Sequence, residues 1–325
     1  MINSPEILRG LVNKQIEKLD NGNRPPELYD PIKYIMELGG KRLRPVLVLM
    51  SYLLYKDDPN DILDQAVAVE MFHNFSLVHD DIMDNAPLRR GKPTVHEKWN
   101  ANTGILAGDV MLVKVYDLLL ENLDTDKISD TLKRFNLAAI RVCEGQQLDM
   151  NFETRKEVNE TEYIEMIRLK TAELLAFSLA LGATLAGKKS EIKHFEDFGN
   201  QIGIGFQLKD DLLDAYGGEG FGKQVGGDII SCKKTFLTIK TLELASEKDR
   251  KLLLKWFGEN PGLSDAERVE KVIALYNTYG IKEKTEERMN QYFEAGFQSL
   301  KKIDAPLNRK ATLRAFTEAL IERNT

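Results

Sequence analysis

Proline is missing from the whole stretch between Pro93 and Pro261, where an average usage near 5% would place about eight. Proline lacks the N–H that a helix needs and clashes with the preceding turn. Its absence removes the commonest obstacle to long helices. Cysteine is scarce as well: Cys143 and Cys232 are the only two in 325 residues. Two thiols cannot staple so large a chain, which excludes a disulfide scaffold, suits a reducing compartment and reads both as inert. There is no basic excess, because the formal net charge is −6. A chain-wide cationic field for nucleic acid or an anionic membrane is therefore excluded, and a phosphate-bearing partner needs a local site. Long apolar runs are also absent. The longest, Leu174 to Ala186, has thirteen residues, short of the roughly 20 that cross a bilayer. The start, Met1-Ile2-Asn3-Ser4-Pro5-Glu6, has neither the basic nor the apolar stretch of a signal peptide. The expectation is a cytoplasmic protein with no stable membrane insertion and no nucleic-acid partner.

What is present is helical periodicity. Apolar residues recur at three- and four-residue spacing in Ile105, Leu106, Val110, Leu112, Val113, Tyr116, Leu119, Leu120 and again from Leu132 to Val142, whereas alternating strand patterns are hard to find. Short polar breaks at 57–61, 85–87, 123–126, 187–190 and the glycine-rich 217–227 read as turns. Ser129 and Thr161 read as helix caps. No linker divides the chain. The reading is all-α, a single domain over 1–325 of roughly ten to a dozen helices, with 240–325 as a solvated outer layer rich in Lys/Glu pairs.

One motif occurs twice. Leu77-Val78-His79-Asp80-Asp81-Ile82-Met83-Asp84 returns in outline as Gln207-Leu208-Lys209-Asp210-Asp211-Leu212-Leu213-Asp214. On a helix, i, i+3 and i, i+4 spacing crowds these carboxylates onto one side, where like charges destabilise. A divalent cation offsets that repulsion, and Mg²⁺ suits a site that waters and substrate phosphates complete. Cations are dispersed around the two clusters: Gly39-Gly40-Lys41-Arg42-Leu43-Arg44-Pro45, then Arg89-Arg90, Lys170, Lys223 and Lys233-Lys234. Guanidinium forks and ammonium points both meet phosphate oxygens. Acidic clusters with dispersed cations describe a Mg²⁺-bridged diphosphate site.

At these residues the chain resembles the trans-type polyprenyl diphosphate synthases. The matching segments are GGKRLRP, DDIMD followed by LRRGKPT, and GFQLKDDLLD followed by GKQVGGD, in the family order over about residues 30 to 240. The resemblance implies an all-α, isoprenoid synthase-like bundle around a deep central cavity, usually a homodimer. It implies condensation of isopentenyl diphosphate onto an allylic diphosphate with two or three Mg²⁺ ions. It implies that Asp80, Asp84 and Asp210 are metal ligands, with Asp81, Asp211 and Asp214 in close support. Arg89, Lys170, Lys233 and Lys223 match contacts to the allylic diphosphate. Lys41, Arg44, His73 and Arg90 match the isopentenyl diphosphate pocket, and Thr171 and Gln207 match polar groups beside the allylic cation. Relatives commonly show Gly-Asp where this chain has Gly218-Glu219, which leaves the alignment of Lys223 open by about a residue.

Product length follows from the segment before Asp80. On one helix, Phe75 and Ser76 lie roughly 6 to 7.5 Å before Asp80, and Phe72 lies about 12 Å before it. An isoprene unit is comparable in length to a helical turn, so Phe75 should cap the tail after a few units, while Ser76 leaves the floor less complete than two aromatics would. A short-chain product is expected, C20 slightly over C15.

Three other readings compete. His79-Asp80 could belong to an HD-type metal phosphohydrolase, but only His73, His96 and His194 remain, and none forms a second HD or HxxxH pattern. A class I terpene cyclase typically replaces the second aspartate motif and lacks GGKRLRP. An inactive regulatory subunit normally shows degraded aspartates, and here both clusters are complete.

Overall fold

The computed structural model describes residues 4–217, 226–258 and 262–322. Lys223 and the Gly218-Glu219 departure lie outside the described residues. Sixteen α-helices occur among the described residues, more than the ten to a dozen expected. They are α1 (Pro5–Lys18), α2 (Pro26–Glu37), α3 (Leu43–Tyr52), α4 (Leu63–Met83), α5 (Val95–Lys98), α6 (Ala101–Leu120), α7 (Thr125–Thr154) and α8 (Glu160–Ile167), then α9 (Glu173–Leu185), α10 (Ile192–Tyr216), α11 (Gly227–Ile230), α12 (Phe236–Leu244), α13 (Glu247–Trp256), α14 (Asp265–Thr278), α15 (Ile281–Lys302) and α16 (Leu307–Glu322). The excess comes from single turns such as α5 and α11, which hydrophobic periodicity is too short to reveal. The only paired strands among the described residues are β1 (Leu88–Arg89) and β2 (Lys92–Pro93).

The chain packs as two compact units. The first comprises Met1–Ala139, Leu174–Glu196 and Ile303–Phe316, and the second Ile140–Glu173, Asp197–Lys302 and Thr317–Thr325. In the first, α3 is buried from Pro45 to Tyr52. On α6 the buried stripe is Ala107, Met111, Val115 and Leu119, a four-residue period that lays one face inward. Half of the apolar residues that carried the sequence periodicity of α6 point the other way. Ile105, Leu106, Val113 and Leu120 are exposed, Val113 by 64%, so the helix is apolar on two faces. Phe72, Phe135, Tyr116 and Phe177 pack edge-on or tilted with centroids 5.1 to 5.9 Å apart, within the range where ring pairs add to their burial.

Two apolar clusters are found among the described residues of the second unit. One gathers Phe152, Tyr163, Met166, Ile204, Leu208 and Phe236. The other gathers Leu212, Ile229 and Leu237 with Leu253, Val272, Tyr276 and Ile281. The C-terminal stretch is thus not merely the solvated outer layer expected: Val272, Tyr276 and Ile281 are at most 1% exposed. The expected caps also differ. Ser129 lies inside α7, and Asn159 rather than Thr161 caps α8, in a reciprocal capping box with Glu162, because the chain turns two residues earlier. No helix among the described residues is long and apolar enough to cross a membrane.

Candidate active site

The first aspartate motif closes α4, a single helix over Leu63–Met83 whose C-cap is Asp84. Successive helical residues are about 100° apart, so Asp80 and Asp84 share a side while Asp81 turns inward. Asp80 is half-buried and Asp84 exposed, whereas Asp81 is 2% exposed. Arg89 holds Asp81: its Nε donates to Oδ1 and Oδ2 at 3.0 and 2.8 Å, and its Nη2 to Oδ1 at 2.7 Å. This two-pronged, charge-assisted fork anchors Arg89 on the hairpin.

The hairpin follows from local chemistry. Leu88 pairs with Pro93 and Arg89 with Lys92, which leaves Arg90 and Gly91 as a two-residue turn with φ of 53° and 73°, the positive pair that a tight hairpin demands. Arg90 Nη1 donates to the carbonyl of Gly39. A Cβ on Gly40 would lie 2.9 Å from Arg90 Cζ, so only glycine admits the guanidinium there. His73 and Arg44 face the same group of charges: Arg44 Nη1 lies 3.1 Å from His73 Nε2. Burial, with Arg44, Arg90, Arg89 and Arg42 nearby, holds His73 well below its ordinary value. It is therefore neutral, and Nε2 accepts. Burial also brings Arg44 down to about 10, helped by Arg90 and opposed by Glu70. Arg44 remains charged at neutral pH, and its buried Nε has no partner. Lys41 is exposed. Desolvated cations and an orphaned donor fit an anion that carries several oxygens.

Arg42, between them, is excluded from this role. It is buried at φ 48°, its Nη1 paired with Glu70 at 2.7 Å, its Nη2 donating to the Met36 carbonyl at 2.7 Å and its Nε to Asn13 at 3.1 Å.

The pocket's titration has a measurable sign. The unfolded chain binds a proton at His73 near pH 6.5, and the folded pocket refuses it, so this contribution is fully present above pH 6.5 and is lost as pH falls below it. The thermal midpoint should drop more steeply from pH 6.5 to 5 in the wild type than in His73→Asn. Equal slopes would show that His73 is not held neutral.

The second motif ends α10. Asp210 is exposed and Asp214 half-buried, while Asp211 is 3% exposed. Asp211 accepts from Tyr163 Oη at 2.6 Å, Gln207 Nε2 at 3.1 Å and the Phe236 N–H at 3.3 Å. Burial nevertheless pushes its carboxyl up to about 7, because those donors only partly replace lost hydration. Thr171 donates to Gln207 Oε1 at 3.1 Å. Asp214 accepts the Asp228 N–H at 2.9 Å. Lys170 and Thr171 lie in a π-helical segment, Arg168–Ala172, a wide turn that re-aims side chains and recurs at functional sites. Lys170 pairs with Asp149 at 2.5 Å, and Gly145 lets the backbone at Leu169 and Lys170 come close. Lys233 is exposed, whereas its neighbour Lys234 donates to the carbonyl of Phe152 at 2.6 Å.

On α4, Phe75 packs against Phe72 and His79 with centroids 5.5 and 4.7 Å away, and Ser76 returns its hydroxyl to the His73 carbonyl at 2.9 Å. Among the described residues no three His, Cys, Asp or Glu side chains are gathered as a metal cage. The oxygen-only donor set still fits Mg²⁺, which needs one or two carboxylates when waters and substrate phosphates fill the remaining positions.

The polyprenyl synthetase family pattern matches residues 25–276. The chain belongs to the polyprenyl synthetase family. Members of this family depend on a metal. A short chain isoprenyl diphosphate synthase of Methanothermobacter thermautotrophicus is 39% identical over 87% of each chain. A geranylgeranyl pyrophosphate synthase of Geoglobus acetivorans is 37% identical over 97% of this chain and 96% of its own. A crystal structure of a geranylgeranyl pyrophosphate synthase superposes with a TM-score of 0.94 at 41% identity, covering 99% of both chains. The all-α isoprenoid synthase fold expected from the sequence is thereby borne out. Tyr163, Asp149 and Asp228 contact the candidate residues Asp211, Lys170 and Asp214 with little sequence signal. Asp149 ends a polar helix face, while Tyr163 and Asp228 look like ordinary helix and loop residues.

Proposed function

We propose that this polyprenyl synthase condenses isopentenyl diphosphate head-to-tail with an allylic diphosphate and makes a short-chain trans product, C20 favoured over C15. The observation that carries the reading is the anion pocket of Arg44, His73 and Arg90 in the same chain as two aspartate-closed helices. Asp80, Asp84 and Asp210 are the ligands we assign, with Asp81, Asp211 and Asp214 as supports. Mg²⁺ held by those oxygens would neutralise the charge that collects on a departing diphosphate.

Each side chain then has a task. Lys41, Arg44 and Arg90 bind the isopentenyl diphosphate, with neutral His73 orienting Arg44. Arg89, Lys170 and Lys233 meet the allylic diphosphate; Lys223 joins them in this reading. As the allylic C–O bond lengthens, these fixed cations stabilise the leaving group without reorganising. Thr171 and Gln207 offer oxygen to the allylic cation, and apolar helix faces exclude the water that would quench it. The double bond of isopentenyl diphosphate adds to the allylic carbon, and the proton lost passes to the released diphosphate, so no dedicated base is required. The test is labelled isopentenyl diphosphate with dimethylallyl, geranyl or farnesyl diphosphate and Mg²⁺, with chromatography of the dephosphorylated products. No chain extension with any starter would sink the proposal.

Phe75→Ala should move the main product to C25 and beyond, because the ring that packs on Phe72 and His79 is the first large obstacle along α4. A wild type that makes mainly C30 or longer, or a Phe75→Ala variant with unchanged products, would defeat this assignment. We also infer a homodimer, supported by the exposed, heptad-spaced Leu106, Val113 and Leu120 on α6, an apolar patch that needs a partner. Val113→Asp should give monomers in sedimentation. A wild type that sediments as a monomer would refute the inference.

A further inference from the structure

Four side chains of the second unit form a one-way hydrogen-bond chain, and the direction of that chain decides what Thr171 can offer. It begins at Tyr163, 3% exposed, whose hydroxyl donates to Asp211 Oδ2 at 2.6 Å. The N–H of Phe236, the first residue of α12, donates to the same oxygen at 3.3 Å. Oδ2 thus accepts twice, and Oδ1 turns to Gln207 and accepts a hydrogen bond from Nε2 at 3.1 Å. The Gln207 amide then has no freedom to flip. With its NH₂ committed to Asp211, its Oε1 faces Thr171 and accepts the hydroxyl proton at 3.1 Å. A threonine hydroxyl has one proton and two lone pairs. Once the proton is given to Gln207, only lone pairs remain for anything else that approaches.

That polarity is chemically consequential. A carbon becoming positive is stabilised by lone pairs and destabilised by an O–H dipole aimed at it. Nothing intrinsic to Thr171 selects between the two, because its hydroxyl rotates freely. Selection comes from the far end of the chain, where Asp211 is held by Tyr163. We propose that Tyr163 is a positioning residue for the condensation: it fixes Asp211 as an acceptor, locks the Gln207 amide and so keeps the lone pairs of Thr171 available to the allylic cation. This deepens the function proposed above and rests on it. The proposal also assigns Asp211 a task other than metal ligation, consistent with its three accepted hydrogen bonds. Its neighbour Asp210 is exposed, one position further round the helix.

The experiment is a mutant cycle in the full chain, read by steady-state kinetics with Mg²⁺. Tyr163→Phe keeps the ring in the core and removes only the donor. It should lower kcat by about 10- to 100-fold, the usual effect of losing a group that orients a reacting one. KM for both diphosphates should stay within about twofold, since binding contacts are untouched. Asp211→Asn should lower kcat further: its Nδ2 would face Gln207, flip that amide and aim an N–H at Thr171. Thr171→Val, which has no hydroxyl to orient, should make Tyr163→Phe nearly silent, and this coupling is what a merely structural tyrosine would not show. If Thr171→Val is too slow to follow, Thr171→Ser replaces it, and Tyr163→Phe must then lower kcat as much as in the wild type. Unchanged kcat in Tyr163→Phe, a rise in KM at constant kcat, or the same loss with and without the Thr171 hydroxyl would each overturn the proposal. A wild type that cannot extend any allylic starter sinks the condensation itself. Normal wild-type turnover beside an indifferent Tyr163→Phe sinks only the positioning role.

Discussion

Asp210→Asn is expected to lower turnover by about three orders of magnitude, the scale on which one preorganised electrostatic group is felt in a transition state. Asp80→Asn should behave alike. Neither change opens a cavity, because Asp210 is exposed and Asp80 half-buried at helix ends. Each also relieves repulsion with an aspartate four residues on, Asp214 or Asp84, so thermal stability without metal should hold or rise. The combination is diagnostic. A damaged fold would lower both activity and the thermal midpoint, whereas a lost ligand lowers activity alone. Initial rates with labelled isopentenyl diphosphate at saturating Mg²⁺, beside thermal melts in chelator, decide the matter. Near wild-type rates in either variant would refute the metal assignment.

Arg42→Ala should produce the largest loss of stability, about 3–5 kcal/mol, because it leaves Glu70 as a buried charge without its cation. The ion pair measures 2.7 Å with both side chains 3% exposed, and the guanidinium also ties α3 to the Met36 carbonyl and Asn13. Removing both charges at once should be far milder. In Arg42→Met/Glu70→Leu the desolvation penalty disappears together with the attraction, so much of the loss should return. Urea titrations of the three proteins test this, and a loss below about 1 kcal/mol in Arg42→Ala would show the pair to be incidental.

Arg42 also shows what linear motifs conceal. In Lys41-Arg42-Leu43-Arg44 three cations sit within four residues and look equivalent as phosphate groups. Folding separates them: Lys41 is exposed, Arg42 is consumed by Glu70, and Arg44 keeps a buried Nε with no partner beside a neutral His73. The aspartate motifs divide in the same way. Asp80 and Asp81 are neighbours in sequence but about 100° apart on α4, and only Asp81 is turned into the fork of Arg89.

The sequence by itself determined the helical class, the family motifs and the single helix that carries both Phe75 and Asp80. Proline spacing, 3.6-residue periodicity and short motifs are local properties, and local properties survive in a linear string. Only the tertiary structure decided which acids and cations are spent on one another, that Ile105, Leu106, Val113 and Leu120 form an outer face of α6 while Ala107 and Met111 form its core, and that Tyr163 donates to Asp211 from 48 residues away. Those outcomes depend on partners distant in the chain, and burial then fixes hydrogen-bond direction and charge state through desolvation, which no spacing rule encodes.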